Sequence, residues 1–294
     1  MFRARLPLLV AAVLAVCPPA FAQSPTAVPD TPAAAPASPT VEIDQSLINL
    51  PTTLPLKAGR SYFRLTHRFA RDLGQGDFGS LADDLFSLDN GAVMGLEYRY
   101  GVTSRVQAGV HRSTLGKTLQ VFGRADLLRP ATAPVSLSAL VSLEGQSNLR
   151  QDPQPGVAVL LSRAVGTRLV VYAAPTYVHD AHTETLRLLH EGHAHDLGDA
   201  EDEDESSTSV DTVYVGLGAR ARLRETVTAT FEVSPRLGGY APDAAVWGAG
   251  IEKLTRGHVL QLNVGNSFST TPGMIARGGA RHEVYLGFNL SRKF

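Results

Sequence analysis

From Ser61 onward, apolar residues recur at every second position along most of the chain. Ala92, Met94, Leu96, Tyr98 and Tyr100 alternate with Val93, Gly95, Glu97 and Arg99. Val135, Leu137, Ala139, Val141 and Leu143 alternate with Ser136, Ser138, Ser142 and Glu144. Val227, Ala229, Phe231 and Val233 alternate with Thr228, Thr230, Glu232 and Ser234. A period of two places unlike residues on the two faces of a strand. The pattern returns often enough to predict about twelve strands, each of the roughly ten residues that a tilted membrane strand needs.

The connections between these segments come in two kinds, and the kinds alternate. GVTS (101–104), VGTR (165–168), LRET (223–226) and TRGH (255–258) are tight turns, and RPATAP is slightly longer. Between them fall the longer polar stretches 71–90, 113–117, 145–154, 179–210, 235–243 and 269–281. Strict alternation puts every tight turn at one end of the sheet, which is the asymmetry of periplasmic turns and extracellular loops. A secreted sandwich would bury large residues on its apolar faces. Here those faces hold many Ala and Val, and the opposite faces hold Gly, Ser, Thr, Arg and Glu. The expected fold is all-β: a transmembrane antiparallel up-and-down β-barrel of about 12 strands, closed because lipid leaves no water for an open edge.

The first residues fit this destination. Arg3 and Arg5, the apolar run LPLLVAAVLAV and the small-x-small site Ala20-Phe21-Ala22 form a secretory signal peptide, residues 1–22. Residues 23–47 read as a Pro/Ala-rich linker and 48–294 as the barrel. The single cysteine, Cys17, lies within the signal peptide, so the mature chain is expected to carry no disulfide. No later stretch of about 18 apolar residues offers a spanning helix. A net charge of -1, with no basic run, gives no reason to expect nucleic acid. The expected location is the bacterial outer membrane.

Two stretches carry resemblances. The final strand, HEVYLGFNLSRKF, resembles the recognition signal of outer-membrane proteins through Phe288, Leu290 and Phe294, with Arg292 standing where an apolar residue is usual. That resemblance implies the barrel-assembly machinery as a partner, beside the lipid bilayer. INLPTTLPL, THRFAR, GDFGSLADDLFSLDNG and LEYRYGVT together resemble a bacterial domain-of-unknown-function family of β-barrel proteins, which implies the fold and no activity.

Candidate chemistry lies mainly on the inward faces. Arg64, Arg68, Arg99, Arg124, Arg220 and Arg222 stand against Glu97, Asp126, Glu144, Glu232 and Glu252. They form either a salt-bridged filling or a polar path for small solutes, biased toward anions near Arg64, Arg68 and Arg99. Twelve strands allow a narrow channel or a filled lumen. In the first long loop, Leu81, Leu85 and Leu88 recur at helical intervals, so a short amphipathic helix is expected there, either capping the mouth, which is the preferred reading, or folding inward as a constriction. His111 and Ser113 share a face and the His-x-Ser spacing of an outer-membrane phospholipase, without that enzyme's flanking motif.

The 179–210 segment gathers histidines ahead of an acidic run. His190, His193 and His195 are the candidate ligands for a transition metal there, and a solvated surface loop is the competing reading. No other cofactor is implied. The expected function is a non-enzymatic, porin-like channel for small polar or anionic solutes. The alternatives are a structural or surface-interaction barrel with a filled lumen and partner-binding loops, and thirdly an outer-membrane hydrolase.

Overall fold

A computed structural model describes residues 41–84, 91–129, 133–181, 210–239 and 244–294. Twelve long strands close into one antiparallel barrel: β1 (Ser61–Asp72), β2 (Ala92–Gly101), β3 (Val106–Ser113), β4 (Leu119–Leu128), β5 (Ser136–Gly145), β6 (Gln151–Val165), β7 (Leu169–Ala181), β8 (Val210–Arg224), β9 (Val227–Ser234), β11 (Val246–Leu254), β12 (His258–Gly265) and β13 (Tyr285–Lys293). A thirteenth, β10 (Arg236–Gly238), is a short addition paired to β8 above β9. Each long strand pairs with its sequence neighbour, and β1 pairs with β13 from Tyr62↔Lys293 to Arg68↔Gly287. That last ladder closes the ring, so each of the twelve long strands has a partner on both sides.

The strands are inside out relative to a soluble domain. On β2, Met94, Leu96, Tyr98 and Tyr100 are exposed while Glu97 and Arg99 are buried. The same inversion holds for Val141 against Ser138 and Ser142, and for Phe231 against Thr230 and Glu232. The apolar side meets lipid, where smooth Val, Ala and Leu surfaces suffice because fluid chains need no interlocking partner. The tight turns 102–105, 166–168, 225–226 and 255–257 share one end of the barrel with the start of β1 and the end of β13, as the alternation requires.

The described segments of the longer connections lie at the other end. In the first, Phe78–Asp83 forms a helix whose N-cap Asp77 accepts from Ser80 N at 2.9 Å. It stays outside the barrel mouth, with Phe78 exposed. Arg71 anchors it through the carbonyls of Ser80 (2.6 Å) and Gln75 (2.8 Å) and through Asp84. The rest of the expected helix, 85–90, lies outside the described residues.

Candidate functional site: a lumen filled from both ends

The lumen is occupied by two segments of the same chain. Residues 41–56 enter at the tight-turn end and fold back as a hairpin. Leu47 N donates to Leu50 O at 2.8 Å across its tip, Thr52 N donates to Gln45 O at 2.9 Å, and Ser46 bridges Pro51. The structure therefore carries the barrel's share of the chain back to Val41, and a boundary drawn between 47 and 48 would cut through the hairpin tip. INLPTTLPL is the tip and returning arm. Pro51 and Pro55 withhold donors that a buried, irregular segment would otherwise have to satisfy.

The inward charges hold this hairpin. Arg220 donates from Nη2 to Ser46 O (2.7 Å) and from Nη1 to Asp44 O (3.4 Å). Arg124 donates to the carbonyls of Thr52 and Leu54, both at 2.6 Å. Arg64 and Asn289 both donate to Ile48 O, Asn289 at 3.1 Å, and Gln261 donates to Leu47 O at 3.0 Å. Arg68 reaches Asn49 Oδ1 at 2.9 Å, and Arg99 reaches Ser46 Oγ at 3.1 Å. At the tip, the Glu232 carboxylate accepts three consecutive backbone N–H groups, those of Ile48, Asn49 and Leu50, at 2.9–3.0 Å. Successive amides converging on one carboxylate form an anion-binding nest. A peptide buried without strand partners needs such donors and acceptors, because each orphaned group costs about 1–3 kcal/mol.

The apolar side chains of the tip find space made by missing side chains. A Cβ on Gly216 would stand 2.5 Å from Leu50 Cδ2, and one on Gly218 would overlap Leu47 Cδ1. The hairpin is seated by shape as well as by charge.

The second segment is the last long connection, 266–284, which turns into the opposite mouth. Its helix Pro272–Ala276 is capped by Thr271 and is buried from Gly273 to Ala276. Glu144 accepts from Thr271 Oγ1 at 2.7 Å and from Gly273 N at 3.0 Å, and Arg236 donates to Ile275 O at 3.1 Å. Ile275 and Ala276 share a cluster with Leu47, Leu50, Tyr172 and Tyr214, so hairpin and loop meet the same core. The inward constriction is thus made by this loop, while the first long loop supplies the exposed helix.

Among the charged residues expected to face the lumen, Arg64, Arg68, Glu97, Arg99, Arg124, Asp126, Arg220, Glu232 and Glu252 are all buried there. Arg220 Nε and Glu252 Oε2 pair at 2.8 Å, Arg99 Nε and Glu97 Oε1 at 2.6 Å, and Arg124 Nη2 and Asp126 Oδ1 at 3.1 Å. Arg222 is the exception in placement. It is half-buried at the rim and donates to Thr167 O in the adjoining turn.

Phe288 and Leu290 face outward on β13, and Phe294 N donates to Ser61 O at 2.9 Å, extending the closing seam. His111 and Ser113 are both buried in the lumen, but no hydrogen bond joins them. Ser113 Oγ accepts from Leu115 N at 3.2 Å, and neither nitrogen of His111 has a hydrogen-bond partner. His190, His193 and His195 lie outside the described residues. The flanking His179 is described: its Nδ1 stands 2.6 Å from Asp211 Oδ1 at the barrel rim.

A closed ring of twelve lipid-facing strands around a polar interior defines an outer-membrane β-barrel. The chain belongs to the DUF5777 family, a membrane bound beta barrel domain whose model matches residues 44–294. That match begins inside the hairpin and so includes its tip. Among solved structures, the fold is similar to that of the NanC porin, with a TM-score of 0.50 and 10% identity over 80% of this chain and 100% of that one. The KdgM porin aligns with a TM-score of 0.47 and 9% identity over 80% of this chain and 99% of that one. The Acinetobacter baumannii outer membrane protein Omp33 aligns with a TM-score of 0.42 and 8% identity over 81% of this chain and 99% of that one. No curated protein matches the sequence.

Proposed function

We propose that this barrel is a porin-like channel for small polar or anionic solutes, closed at rest by its own N-terminal hairpin. The observation that carries this reading is how the hairpin is held. Among the described residues, no backbone–backbone hydrogen bond joins 41–56 to the wall. The hairpin can therefore leave without breaking a single rung of the barrel. The wall behind it is rich in Arg, Glu, Gln, Asn, Ser and Thr, which water can solvate when the hairpin withdraws, and its apolar patch at Val170, Tyr172, Tyr214 and Val246 is what the tip's Leu47 and Leu50 cover. A plug with a purely structural task is served as well by an apolar wall, with no polar groups to satisfy. The last long loop narrows the other mouth and sets the constriction.

A reversible lock tests this. Thr53 Oγ1 and Ser162 Oγ lie 2.6 Å apart, joining the hairpin's returning arm to β6. Cysteines at both positions can form a disulfide in a mature chain expected to have no other cysteine. In planar bilayers, the reduced Thr53→Cys/Ser162→Cys protein should show brief openings like the parent. Oxidation should abolish them, and dithiothreitol should restore them. Equal opening in both redox states would show that solute passes without moving the hairpin. Silence in every form, with insertion verified, would favour the filled structural barrel.

We also propose that the last strand is read during insertion, Phe288, Leu290 and Phe294 being the residues presented. Phe294→Ala keeps the backbone rung to Ser61 and removes only the exposed ring. Export should be unchanged, while the amount of heat-modifiable folded barrel in the membrane fraction falls severalfold. Normal folded levels would show that the ring is not read.

A further inference from the structure

The two ends of the barrel differ in exposed charge. Each tight turn carries an exposed arginine: Arg105 after β2, Arg168 after β6, Arg224 after β8 and Arg256 after β11. Among the described residues at that end, Glu225 is the one exposed carboxylate. The far end is mixed, with Asp77, Asp83 and Asp211 against Lys117 and Arg150. Further cations stand on the lipid-facing wall itself. Arg163, Lys253 and Arg292 are exposed in the outward registers of β6, β11 and β13, each two residues along from an apolar neighbour, Leu161, Ile251 and Leu290. Two residues of strand span about 7 Å. These charges therefore lie just past the edge of the apolar band, at the depth of headgroup phosphates.

The closing seam arranges these groups most completely. Register places Phe63, Arg292 and His258 side by side on β1, β13 and β12, all facing outward. The next outward row, toward the middle of the membrane, is Leu65, Leu290 and Leu260. The seam thus presents two N–H-bearing side chains at the foot of an apolar column. The Arg292 guanidinium lies 4.8 Å from the centroid of the Phe294 ring. An arginine stacked on an aromatic face keeps its edge donors available. Among the described residues, no hydrogen bond or carboxylate engages the side chain of Arg292 or His258. Arg60 and Arg256 stand exposed at the feet of β1 and β12, so the surroundings of the pair are basic as well.

We propose that this strip of the closing seam binds an anionic phospholipid of the periplasmic leaflet. Arg292 and His258 hold its phosphodiester, and one acyl chain lies along Leu65, Leu290 and Leu260. The phosphate oxygens of a diester are acceptors, which guanidinium and imidazole N–H groups match. The occupant is a lipid and not a soluble acidic partner because the donors stand on the wall, where bilayer surrounds them. It is of the phosphatidylglycerol type because a phosphatidylethanolamine would bring an ammonium group beside Arg60 and Arg256. The arginines of the turns draw further anionic lipid to the same leaflet. The site also gives Arg292 a task at a position where a final strand usually carries an apolar residue. None of this depends on whether the lumen opens.

The test uses the full mature chain, refolded in detergent micelles and checked by heat-modifiable migration. Phosphatidylglycerol and phosphatidylethanolamine with identical acyl chains are offered in equal amounts, and native mass spectrometry reads which lipids the folded barrel retains. The first lipid retained should be phosphatidylglycerol by about fivefold, the change that one basic residue near an anionic surface produces. Arg292→Leu, which supplies the usual apolar residue of a final strand, should bring that preference to parity. His258→Gln leaves β13 untouched and should move it partway toward parity. Arg163→Gln/Lys253→Gln should reduce only the lipids bound after the first. Equal retention of the two lipids by the parent, or an undiminished preference in Arg292→Leu or in His258→Gln, would overturn the site. Loss of the first lipid in Arg163→Gln/Lys253→Gln would place it elsewhere on the wall. Displacement of the bound lipid by an equimolar amount of sodium phosphate would show a site for free anions and not for a membrane lipid.

Discussion

Replacing Arg220 with methionine should destabilise the folded barrel by about 3–5 kcal/mol, the range for removing one partner of a buried ion pair. Both side chains are fully buried, and the guanidinium engages Glu252 through Nε at 2.8 Å and Nη2 at 2.9 Å. Without it, Glu252 keeps only Thr228 Oγ1 at 2.6 Å and Gln261 Nε2 at 2.9 Å, neither of which carries charge. The carbonyls of Asp44 and Ser46 lose their donor in the same step, so the wall and the hairpin weaken together. Lysine should rescue poorly, since a single ammonium cannot reproduce the two-pronged contact. Urea unfolding in lipid vesicles can be followed through Trp247, the only tryptophan. Pairing Arg220→Met with Glu252→Gln should recover part of the loss. A midpoint unchanged in Arg220→Met would mean that water reaches Glu252.

The second large effect is expected in conductance. Changing Leu47, Ile48 and Leu50 together to alanine removes the apolar tip from the glycine-lined bays while leaving its polar grip intact. Core Leu→Ala changes cost about 2–5 kcal/mol each. Even about 4 kcal/mol for the trio would raise the share of withdrawn hairpin by roughly a thousandfold. Single-channel records should then show long openings where the parent shows brief ones. Barrel stability should change much less, because no ladder bond is touched. If the triple variant stays as closed as the parent, the last long loop alone seals the lumen and the hairpin is not the gate.

The wall was legible in the sequence because strand alternation is a local property. Met94 against Glu97 and Phe231 against Glu232 give the outward and inward faces without knowledge of any neighbour. The hairpin was not legible in the same way. Its contacts depend on a ring that exists only after twelve strands have paired, and Pro51 and Pro55 make the segment read as a continuation of the linker. Two signals pointed to it nonetheless. One is INLPTTLPL itself, an apolar, Pro-punctuated stretch that stands between the linker and the first strand and is too apolar for a solvated tether. Gly216, Gly218, Gly248 and Gly250 also hollow the inward faces of β8 and β11, where a wet channel gains nothing from missing side chains. The inward turn of the last loop is signalled by Thr271-Pro272, a helix start ahead of the apolar Met274, Ile275 and Ala276. The same composition would serve an exposed loop, so only the closed barrel shows where it goes.

The partners that seat the hairpin lie far along the chain. Ile48 bonds to Glu232 and Asn289, 184 and 241 residues away, and Asp44 bonds to Ser291, 247 residues away. Contacts of such separation form late, since the entropy of closing long loops is lost before they are made. The receiving surface, moreover, is complete only once β13 has joined β1. The expected order of assembly is therefore a ring that shuts while its interior is still wet, followed by docking of the hairpin. On that order, the last step is docking of the barrel's own first residues. That transient hollow form is the same species that gating would have to regenerate, so the time course of refolding should contain the closing rate of the channel.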